Sequence, residues 1–356
     1  MKKVLFVYSK LSSGGSERVM TLLANEFARQ KYHTTMALLR EDENETYKVD
    51  DQVNLIRFSY GTKNKLRIAI KRFHELRKLL KENKYDAVIS FMYDINILTI
   101  FAASGLKQHI IVSERNDPSR RLGNGLFKAI ECLAYSRAAY VVFQTDEVKK
   151  YYTDAVQRIG VTIPNPVNGN LPERFNGERE KMIMAVGRLT EQKNFELLLN
   201  GFAKFHQRHK DYCLTICGQG SLLDRLKEQA KRLEIEQNVL FVGYVSDVNT
   251  RMQKSAMYVS TSNYEGISNA MLEALAMGVP CICTDCPVGG ARLMIQNMVN
   301  GLLIPVGDEA SLVKAMNMVA DDSELAEKLG VEGEKIRKEY SIEKIAEQWK
   351  RLLERD

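Results

Sequence analysis

Short apolar runs alternate with amphipathic segments along the whole chain, and this alternation limits the fold more than any other feature of the sequence. Strands that are apolar throughout and separated by helices are typical of parallel sheets covered by helices. The chain is therefore predicted to be an α/β protein with doubly wound sheets. The predicted strands of the first half are Val4–Tyr8, Thr34–Leu39, Asn54–Phe58, Ala87–Phe91, His109–Ser113 and Ala139–Gln144. Those of the second half are Met182–Val186, Tyr212–Cys217, Val239–Val242, Met257–Ser260, Cys281–Thr284 and Gly301–Ile304.

The pattern restarts near Met182, after Ile163–Val167 and a polar stretch that ends at residue 180. A chain of 356 residues suits two domains rather than one. We therefore expect one domain over 1–164 and a second over 165–341, with a cleft between the carboxyl ends of two sheets. The last helix, within 342–356, is expected to return to the first domain; the alternative is that it simply ends the second.

Composition excludes several classes of protein. No stretch approaches the roughly 18 apolar residues of a membrane span, and the first apolar run is too short for a signal peptide. A cytoplasmic protein is expected. The six cysteines lie apart or within apolar runs, so Cys283 and Cys286 are interpreted as structural despite their spacing. No Asp-x-Asp triplet occurs, and neither a metal nor a cofactor is predicted.

Positive charge is concentrated in the first domain. Residues 1–164 contain 27 Lys and Arg against 18 Asp and Glu, a net charge of +9, whereas the remainder carries −3. This asymmetry favours an anionic partner for the first half: a phosphate-bearing ligand, an anionic lipid or nucleic acid. Nucleic acid is disfavoured, because no known nucleic-acid module appears and aromatic residues are not interleaved with the charge.

Three loops that follow predicted strands carry candidate ligand-binding residues. Paired glycines, including Gly15, precede the first helix and would let a phosphate approach its amides, although a tight turn explains them equally well. Arg188 and Lys193 follow a buried strand and could both turn toward one diphosphate. Gly218, in a Gly-x-Gly sequence that again ends a strand, is a weaker signal of the same kind.

A fourth loop gives the strongest signal. Glu265 lies between a strand and a helix predicted over Ser268–Met277, and Glu273 lies inside that helix among apolar residues. Two carboxylates around a helix N-terminus suit the hydroxyls and phosphates of a sugar nucleotide. The residues expected to contact this donor through the loop and the helix start are Gly266, Ile267, Ser268 and Asn269.

With these motifs the chain resembles the retaining glycosyltransferases of family 4, which have the fold called GT-B. The resemblance rests on Gly187–Leu189, Lys193–Asn194, the pair Glu265 and Glu273, and Gly278–Pro280, and it covers nearly the whole chain. It implies two Rossmann-like domains whose parallel sheets face each other across a cleft. It also implies that Arg188 and Lys193 hold the donor diphosphate, Glu273 the ribose and Glu265 the transferred sugar. Gly15 would approach the diphosphate from the first domain.

Two further segments, Gly14–Arg18 and Ser113–Pro118, resemble a narrower branch that elongates polyprenyl-diphosphate-linked oligosaccharides. That branch includes N-acetylgalactosamine transferases of bacterial glycan assembly, which implies a UDP-sugar donor and a lipid-linked glycan acceptor. Many family members carry a His near the reacting sugar, whereas this chain reads Glu114-Arg115. The candidate first-domain contacts are therefore Glu114, Arg115 and Asp117, with an ordinary turn as the alternative for Asp117.

A basic helix is predicted within residues 63–84, which hold nine Lys and Arg against two Glu. We expect its apolar side to pack on the domain, and its basic stripe to dock on the anionic inner face of the cell membrane and engage the carrier diphosphate. A solvated surface helix is the alternative. The apolar side comprises Leu66, Ile70, Phe73, Leu76 and Leu80, and the stripe comprises Lys63, Arg67, Lys71, His74, Lys78 and Lys81.

Three other functions stay open at this point. The first is a glycosyltransferase with a small-molecule or polysaccharide acceptor, and the second is a sugar-nucleotide epimerase of the same fold. The third, a non-catalytic binding module, is disfavoured by the intact set of Arg188, Lys193, Glu265 and Glu273.

Overall fold

The structure is a computed structural model that describes residues 1–12, 14–40, 46–61, 64–120, 125–245 and 247–354. It divides into two compact units. The first contains Met1–Pro166 and Ile342–Asp356, and the second contains Val167–Ser341. Lys63, the first residue of the predicted basic stripe, lies outside the described residues.

The first unit is built on one parallel sheet with the strand order β3-β2-β1-β4-β5-β6-β7. Its strands are β1 Lys3–Tyr8, β2 His33–Leu38, β3 Asn54–Arg57, β4 Ala87–Phe91, β5 Ile110–Ser113, β6 Tyr140–Phe143 and β7 Gly160–Thr162. The order reverses between β1 and β4, so loops that follow these two strands flank the crevice where such sheets bind ligands.

Helices connect these strands. They are α1 Gly15–Arg29, α2 Lys65–Glu82, α3 Tyr93–Ala103, α4 Gly125–Tyr135, α5 Asp146–Lys149 and α6 Asp154–Arg158, with a short 3₁₀ turn at Pro118–Arg120. The last helix of the chain, at Ile342–Arg351, also belongs to this unit and packs against α1. Burial of strands such as β4, all five of whose residues are buried, supplies the hydrophobic stabilisation of the unit.

The second unit repeats the design with the strand order β10-β9-β8-β11-β12-β13. Its strands are β8 Glu180–Val186, β9 Cys213–Cys217, β10 Val239–Gly243, β11 Ser255–Ser260, β12 Cys281–Thr284 and β13 Leu302–Ile304. Its helices are α7 Phe195–Arg208, α8 Leu223–Arg232, α9 Val248–Lys254, α10 Asn269–Ala276, α11 Gly290–Met294, α12 Glu309–Asp321, α13 Ser323–Glu334 and α14 Ile336–Glu339. A 3₁₀ turn spans Glu236–Asn238, and the final helix described above is α15. Here the reversal lies between β8 and β11.

The predicted α/β class with parallel sheets is confirmed, and each predicted strand is present within a few residues of its expected bounds. The prediction that Leu66 and Ile70 pack on the domain is wrong, because they are 70% and 51% exposed. The attachment of α2 begins near its middle, where Lys71 donates to the carbonyl of Tyr60, and continues through the buried Leu76 and Leu80. Within the described part of the chain, no helix combines the length and apolar character that crossing a bilayer requires.

Candidate active site

In the second unit, the loops that follow β8 and β11 are tied together by hydrogen bonds at the point where the strand order reverses. The amide of Asn263 donates to the carbonyl of Gln192 at 2.8 Å, and the Gln192 side chain donates to the carbonyl of Tyr264 at 3.1 Å. The hydroxyl of Thr261 donates to the carbonyl of Asn194 at 2.9 Å. These bonds hold the two loops that carry Arg188, Lys193 and Glu265 as one structural element.

Glycines let the neighbouring loops come this close. A Cβ on Gly218 would lie 1.8 Å from the carbonyl oxygen of Gly187, and Gly218 has a φ of +151° that L side chains rarely adopt. A Cβ on Gly290 would lie 2.0 Å from the carbonyl oxygen of Gly266. The Gly218 amide donates to the carbonyl of Gly243 at 2.8 Å. Gly218 therefore shapes the loop that begins with Gly187 rather than presenting its own N–H to a ligand.

The side chains of Lys193 and Glu265 form a direct ion pair that is largely shielded from solvent. The hydroxyl of Ser262 donates to the same carboxylate oxygen of Glu265 at 3.3 Å. Arg188, at the start of the β8 loop, is exposed, and its side chain has no hydrogen-bond or ion-pair partner among the described residues. The site thus combines one neutralised Lys–Glu pair with one guanidinium that is available to an anion.

The helix α10 starts immediately after this loop. Ser268 is its N-cap, and its hydroxyl accepts a hydrogen bond from the amide of Met271 at 3.4 Å. Asn269 is the first helical residue. Glu273 lies in the second turn and is only 4% exposed. The first-turn amides carry the positive end of the helix dipole, which suits a phosphate.

The two cysteines near this loop are structural. Cys286 donates to the carbonyl of Ser262 at 3.3 Å, and the hydroxyl of Thr284 donates to the same oxygen at 2.7 Å. Burial raises the pKa of the Cys286 thiol to about 11 and raises the pKa of Cys283 as well. Both sulfurs are therefore protonated near neutral pH, as the sequence-based interpretation of this pair expects.

In the first unit, the side chain of Glu17 covers the start of α1. Its carboxylate accepts from the hydroxyls of Ser12 at 3.1 Å and Ser16 at 3.3 Å, and a Cβ on Gly14 would lie 2.0 Å from one of its oxygens. Burial, together with the charge of Glu17, raises the pKa of the Tyr8 hydroxyl, which is 2.7 Å from Ser16 Oγ. The predicted anion site beside Gly15 therefore has a carboxylate at its edge.

The sequence interpretation did not assign a role to Glu17, although a signal was present. Gly14 is the N-cap of α1 and Glu17 is its third helical residue, which is the position of the acid in a capping box.

The structure separates the three candidate contacts Glu114, Arg115 and Asp117. Glu114 is 1% exposed, and one of its oxygens accepts from the amides of Arg115 at 2.9 Å and Asn116 at 3.0 Å. Its other oxygen accepts from the hydroxyl of Tyr152 at 3.2 Å. Asp117 accepts from the amide and the hydroxyl of Ser119 at 2.9 and 2.6 Å. These geometries favour a structural role for Glu114 and the turn interpretation for Asp117.

Arg115 is different, because it keeps unused donors although it is only 7% exposed. Its guanidinium lies 4.4 Å from the ring centre of Phe91 and 5.6 Å from that of Trp349, and one nitrogen donates to Asn165 at 2.7 Å. Nε and the other terminal nitrogen have no hydrogen-bond partner within the described residues. Burial lowers the pKa of Arg115 to about 9, so the group stays charged near neutral pH.

The helix α2 is capped by Asn64, whose side-chain oxygen accepts from the amides of Leu66 and Arg67 at 3.1 Å each. Lys71 donates to the carbonyl of Tyr60 at 2.8 Å, and the exposed His74 contacts the ring of Phe73. The remaining members of the predicted stripe in the described chain are exposed and have no side-chain partner there: Arg67, Lys78 and Lys81.

Two family models match this chain. Residues 13–170 match the model described as Glycosyltransferase Family 4. Residues 170–336 match the model described as Glycosyl transferases group 1. Together they match residues 13–336, which include most of both units.

Among curated proteins, the chain is 29% identical over 362 residues to "GalNAc-alpha-(1->4)-GalNAc-alpha-(1->3)-diNAcBac-PP-undecaprenol alpha-1,4-N-acetyl-D-galactosaminyltransferase" of Campylobacter jejuni. That match covers 99% of this chain and 98% of the relative. A second relative from Campylobacter jejuni is 27% identical, with 90% of each chain covered. It is named "N-acetylgalactosamine-N,N'-diacetylbacillosaminyl-diphospho-undecaprenol 4-alpha-N-acetylgalactosaminyltransferase".

Among solved structures, Anabaena HepE in complex with UDP and glucose superposes with a TM-score of 0.84 at 16% identity, and 99% of each chain is covered. This likeness shows the fold, which is GT-B as the sequence predicts. From the two family models and this fold, the chain belongs to the glycosyltransferases, with a first half of Glycosyltransferase Family 4 and a second half of the group 1 type.

Proposed function

We propose that the chain transfers N-acetylgalactosamine or a related hexose from a UDP-sugar to a polyprenyl-diphosphate-linked glycan, with retention and without a metal. The observation that carries the proposal is the arrangement at the start of α10 in the second unit. An unpaired Arg188 and the Lys193–Glu265 pair lie on loops that are bonded to each other and lead into a capped helix. Such a group suits the departing nucleoside diphosphate.

In the proposed reaction, the acceptor oxygen bonds to the anomeric carbon of the sugar while the bond from that carbon to the diphosphate breaks. Negative charge then grows on the leaving phosphate. Arg188 holds its oxygens in a fork, Lys193 adds a point charge, and the first-turn amides of α10 add the helix dipole. The proton of the acceptor hydroxyl passes to the leaving phosphate, so the proposal requires no side-chain base or nucleophile.

Two carboxylates of the second unit orient the donor in this proposal. Glu265 accepts from the hydroxyls of the transferred sugar, and its charge is balanced by Lys193. Glu273, which is buried in α10, accepts from the ribose hydroxyls. A carboxylate is an acceptor-only group that takes two hydroxyls at once, so it suits both parts of the ligand.

For the acceptor we propose a lipid-linked glycan at the cytoplasmic face of the membrane. Both Campylobacter relatives carry an undecaprenol-linked diphosphate in their names. The exposed Arg67, Lys78 and Lys81 on α2 supply the positive surface that anionic headgroups and a carrier diphosphate attract. Peripheral attachment through this unit brings the acceptor to the enzyme.

The donor is tested by thermal shift with UDP-, GDP- and ADP-sugars, because a bound ligand raises the apparent stability by mass action. We expect stabilisation by UDP-sugars and release of UDP that requires the lipid-linked acceptor. Lys193→Ala should lower turnover at least about tenfold, since a charge-assisted contact to the leaving phosphate is lost. Lys227→Ala, an exposed lysine of α8, serves as the control.

Stabilisation by none of the three nucleotide sugars would contradict the proposal. Conversion of the UDP-sugar into its epimer without any acceptor would favour an epimerase instead.

A further inference from the structure

A second surface of the first unit exposes a group of large apolar side chains. The helices α2, α3 and α4 pack in a row, with α3 touching both neighbours, whereas α1 packs against α15. The crossovers through α1 and α3 run in opposite directions along the sheet, so right-handed connections place them on opposite faces. On the face of α2, α3 and α4, seven large apolar or aromatic side chains are between 40% and 70% exposed. Phe101 lies near the C-terminal end of α3, and the other six are Leu66, Ile70, Tyr93, Phe127, Ile130 and Leu133. We call these six residues the apolar patch.

Most of the patch lies toward one end of these helices. Each helix leads from the carboxyl end of one parallel strand to the amino end of another, so its first turns lie at the carboxyl edge of the sheet. Arg77 of α2 donates to the carbonyls of Ala102 and Ser104 at 2.9 Å each. The helices α2 and α3 run in the same direction. Tyr93 precedes the α3 side of this contact by about ten residues, and Arg67 precedes Arg77 by ten, so Tyr93 and Arg67 lie at about the same level. Tyr93 therefore lies beside the turn that exposes Leu66 and Ile70.

The helix α4 extends toward the same end. Its last residue, Tyr135, has its hydroxyl 2.9 Å from the side-chain nitrogen of Asn96, the fourth residue of α3. The turns of α4 that expose Phe127 and Ile130 therefore lie on the carboxyl side of that contact, and Leu133 lies in the same turn as Tyr135. Single exposed apolar residues are ordinary on protein surfaces, but a group gathered at one edge marks an interaction site.

The charge along α2 is predominantly positive, although Glu75 is exposed there, and the exposed carboxylate of Asp94 beside Tyr93 is paired with Arg40 at 3.5 Å. Arg67 follows Leu66 directly, and Lys78 and Lys81 continue along α2 without a partner among the described residues. The one carboxylate in the sequence of α4, Glu131, is buried and bonded to the hydroxyl of Tyr152 at 3.0 Å. The outward surface of α4 thus offers apolar side chains and no acid. This combination fits a phospholipid leaflet with anionic headgroups.

We infer that the apolar patch inserts into the acyl boundary of an anionic phospholipid leaflet while the basic residues of α2 lie on its headgroups. The inference rests on the proposed lipid-linked acceptor and adds how the enzyme attaches to the membrane. Insertion brings the carboxyl edge of the sheet close to the bilayer surface. The carrier diphosphate, which lies at the membrane surface, then meets the edge where the start of α1 and Arg115 are found.

Electrostatic attraction to the headgroups and insertion of the apolar patch differ in their response to salt. Headgroup attraction is screened within about 8 Å at physiological ionic strength, whereas burial of apolar surface is not. The wild-type chain should therefore retain part of its vesicle binding in high salt. This residual binding is the quantity that reports on the patch.

The test uses the double variant Phe127→Ser and Leu133→Ser in the full chain. Binding is measured by sedimentation with vesicles of phosphatidylcholine containing phosphatidylglycerol, at low and at high sodium chloride. We expect the variant to lose at least tenfold in vesicle affinity at low salt and all residual binding at high salt. Leu66→Ser with Ile70→Ser is a second, independent variant. Leu240→Ser, an equally exposed apolar residue of the second unit, is the control and should bind as the wild type does.

Wild-type vesicle binding by both double variants would overturn the inference. A wild-type dimer in sedimentation velocity that the variants convert to monomers, with vesicle binding unchanged, would assign the patch to a second copy of this chain instead. The thermal shift with UDP-sugars reports on the donor site alone. Failure of that measurement would contradict the proposed function, and the vesicle result would still decide the inference about the patch.

Discussion

At the scale of single residues, the donor site depends on where each carboxylate keeps its charge. Glu265 is balanced by Lys193. Glu273 is buried in the second turn of α10, and a carboxylate can accept from two hydroxyls at once. In our proposal the hydroxyls of the donor ribose are what Glu273 binds.

We predict that Glu273→Gln weakens UDP-sugar binding. A neutral amide loses charge-assisted hydrogen bonds worth roughly 1.5–3 kcal/mol, which is about ten- to a hundredfold in Kd. Isothermal titration with the UDP-sugar measures the change, and Glu228→Gln on α8, an exposed carboxylate, is the control. An unchanged Kd in a folded Glu273→Gln protein would remove Glu273 from the donor site.

At the scale of elements, α2 is attached to the first unit by only part of its length. Its N-terminal half exposes Leu66 and Ile70, and its C-terminal half is held by Leu76, Leu80 and the bonds of Arg77. A helix attached in this way can present both apolar and basic side chains to a second surface.

We predict that replacing Arg67, Lys78 and Lys81 by Glu abolishes sedimentation with anionic vesicles at low salt. Each basic residue near such a surface contributes on the order of 1 kcal/mol, and charge reversal adds repulsion. Transfer to a lipid-linked acceptor should fall, while transfer to an acceptor analogue without the diphosphate should change little. The matched control reverses three exposed lysines of the second unit, Lys210, Lys227 and Lys231. If the α2 variant elongates the lipid-linked acceptor at the wild-type rate, the helix is a scaffold only.

The elements also show what the sequence can predict and what it cannot. Apolar runs identified the central strands because those strands are buried on both faces. The strand β7 was missed, because Gly160–Thr162 is short, half-buried and at the edge of the sheet. Helical periodicity assigned Leu66 and Ile70 to the buried side, since periodicity identifies an apolar face but not what covers it.

The site shows the same limit. Arg188, Lys193, Glu265 and Glu273 could be identified from the sequence as candidate donor contacts. Each follows a strand or lies near the start of a helix, and each of these signals is contained in one short segment of the chain. The close approach of Gly218 to Gly187, and the stacking of Arg115 on Phe91, join residues that are distant in sequence. Such contacts depend on tertiary packing, which a single sequence does not reveal.

At the scale of the whole molecule, chemistry and membrane attachment are assigned to different units. Apart from Gly15, the residues proposed to bind the donor lie in the second unit, and the basic stripe and the apolar patch lie in the first. The net charge follows this division, with the positive excess in the first 164 residues. Cationic side chains and helix amides take the place of a metal in the proposed stabilisation of the leaving group.

We predict that transferase activity survives chelation by EDTA and changes by less than about twofold, because no Lewis acid takes part in the proposed step. The sequence contains no Asp-x-Asp triplet, and the described residues contain no group of three or more His, Cys, Asp or Glu arranged to hold a metal ion. The measurement is UDP release before and after dialysis against EDTA. Loss of activity that added manganese or magnesium restores would contradict the proposed mechanism.

The burial of Trp349 determines what tryptophan fluorescence reports when this enzyme unfolds. It is the chain's one tryptophan, it is fully buried, and its ring stacks on Phe91 with the ring centres 5.6 Å apart. It lies on α15, so every emitting indole belongs to the first unit. Tryptophan fluorescence therefore follows the melting of that unit alone, while the second unit unfolds without an optical signal from an indole. A fluorescence melt and a calorimetric scan of the same sample consequently need not report the same transition.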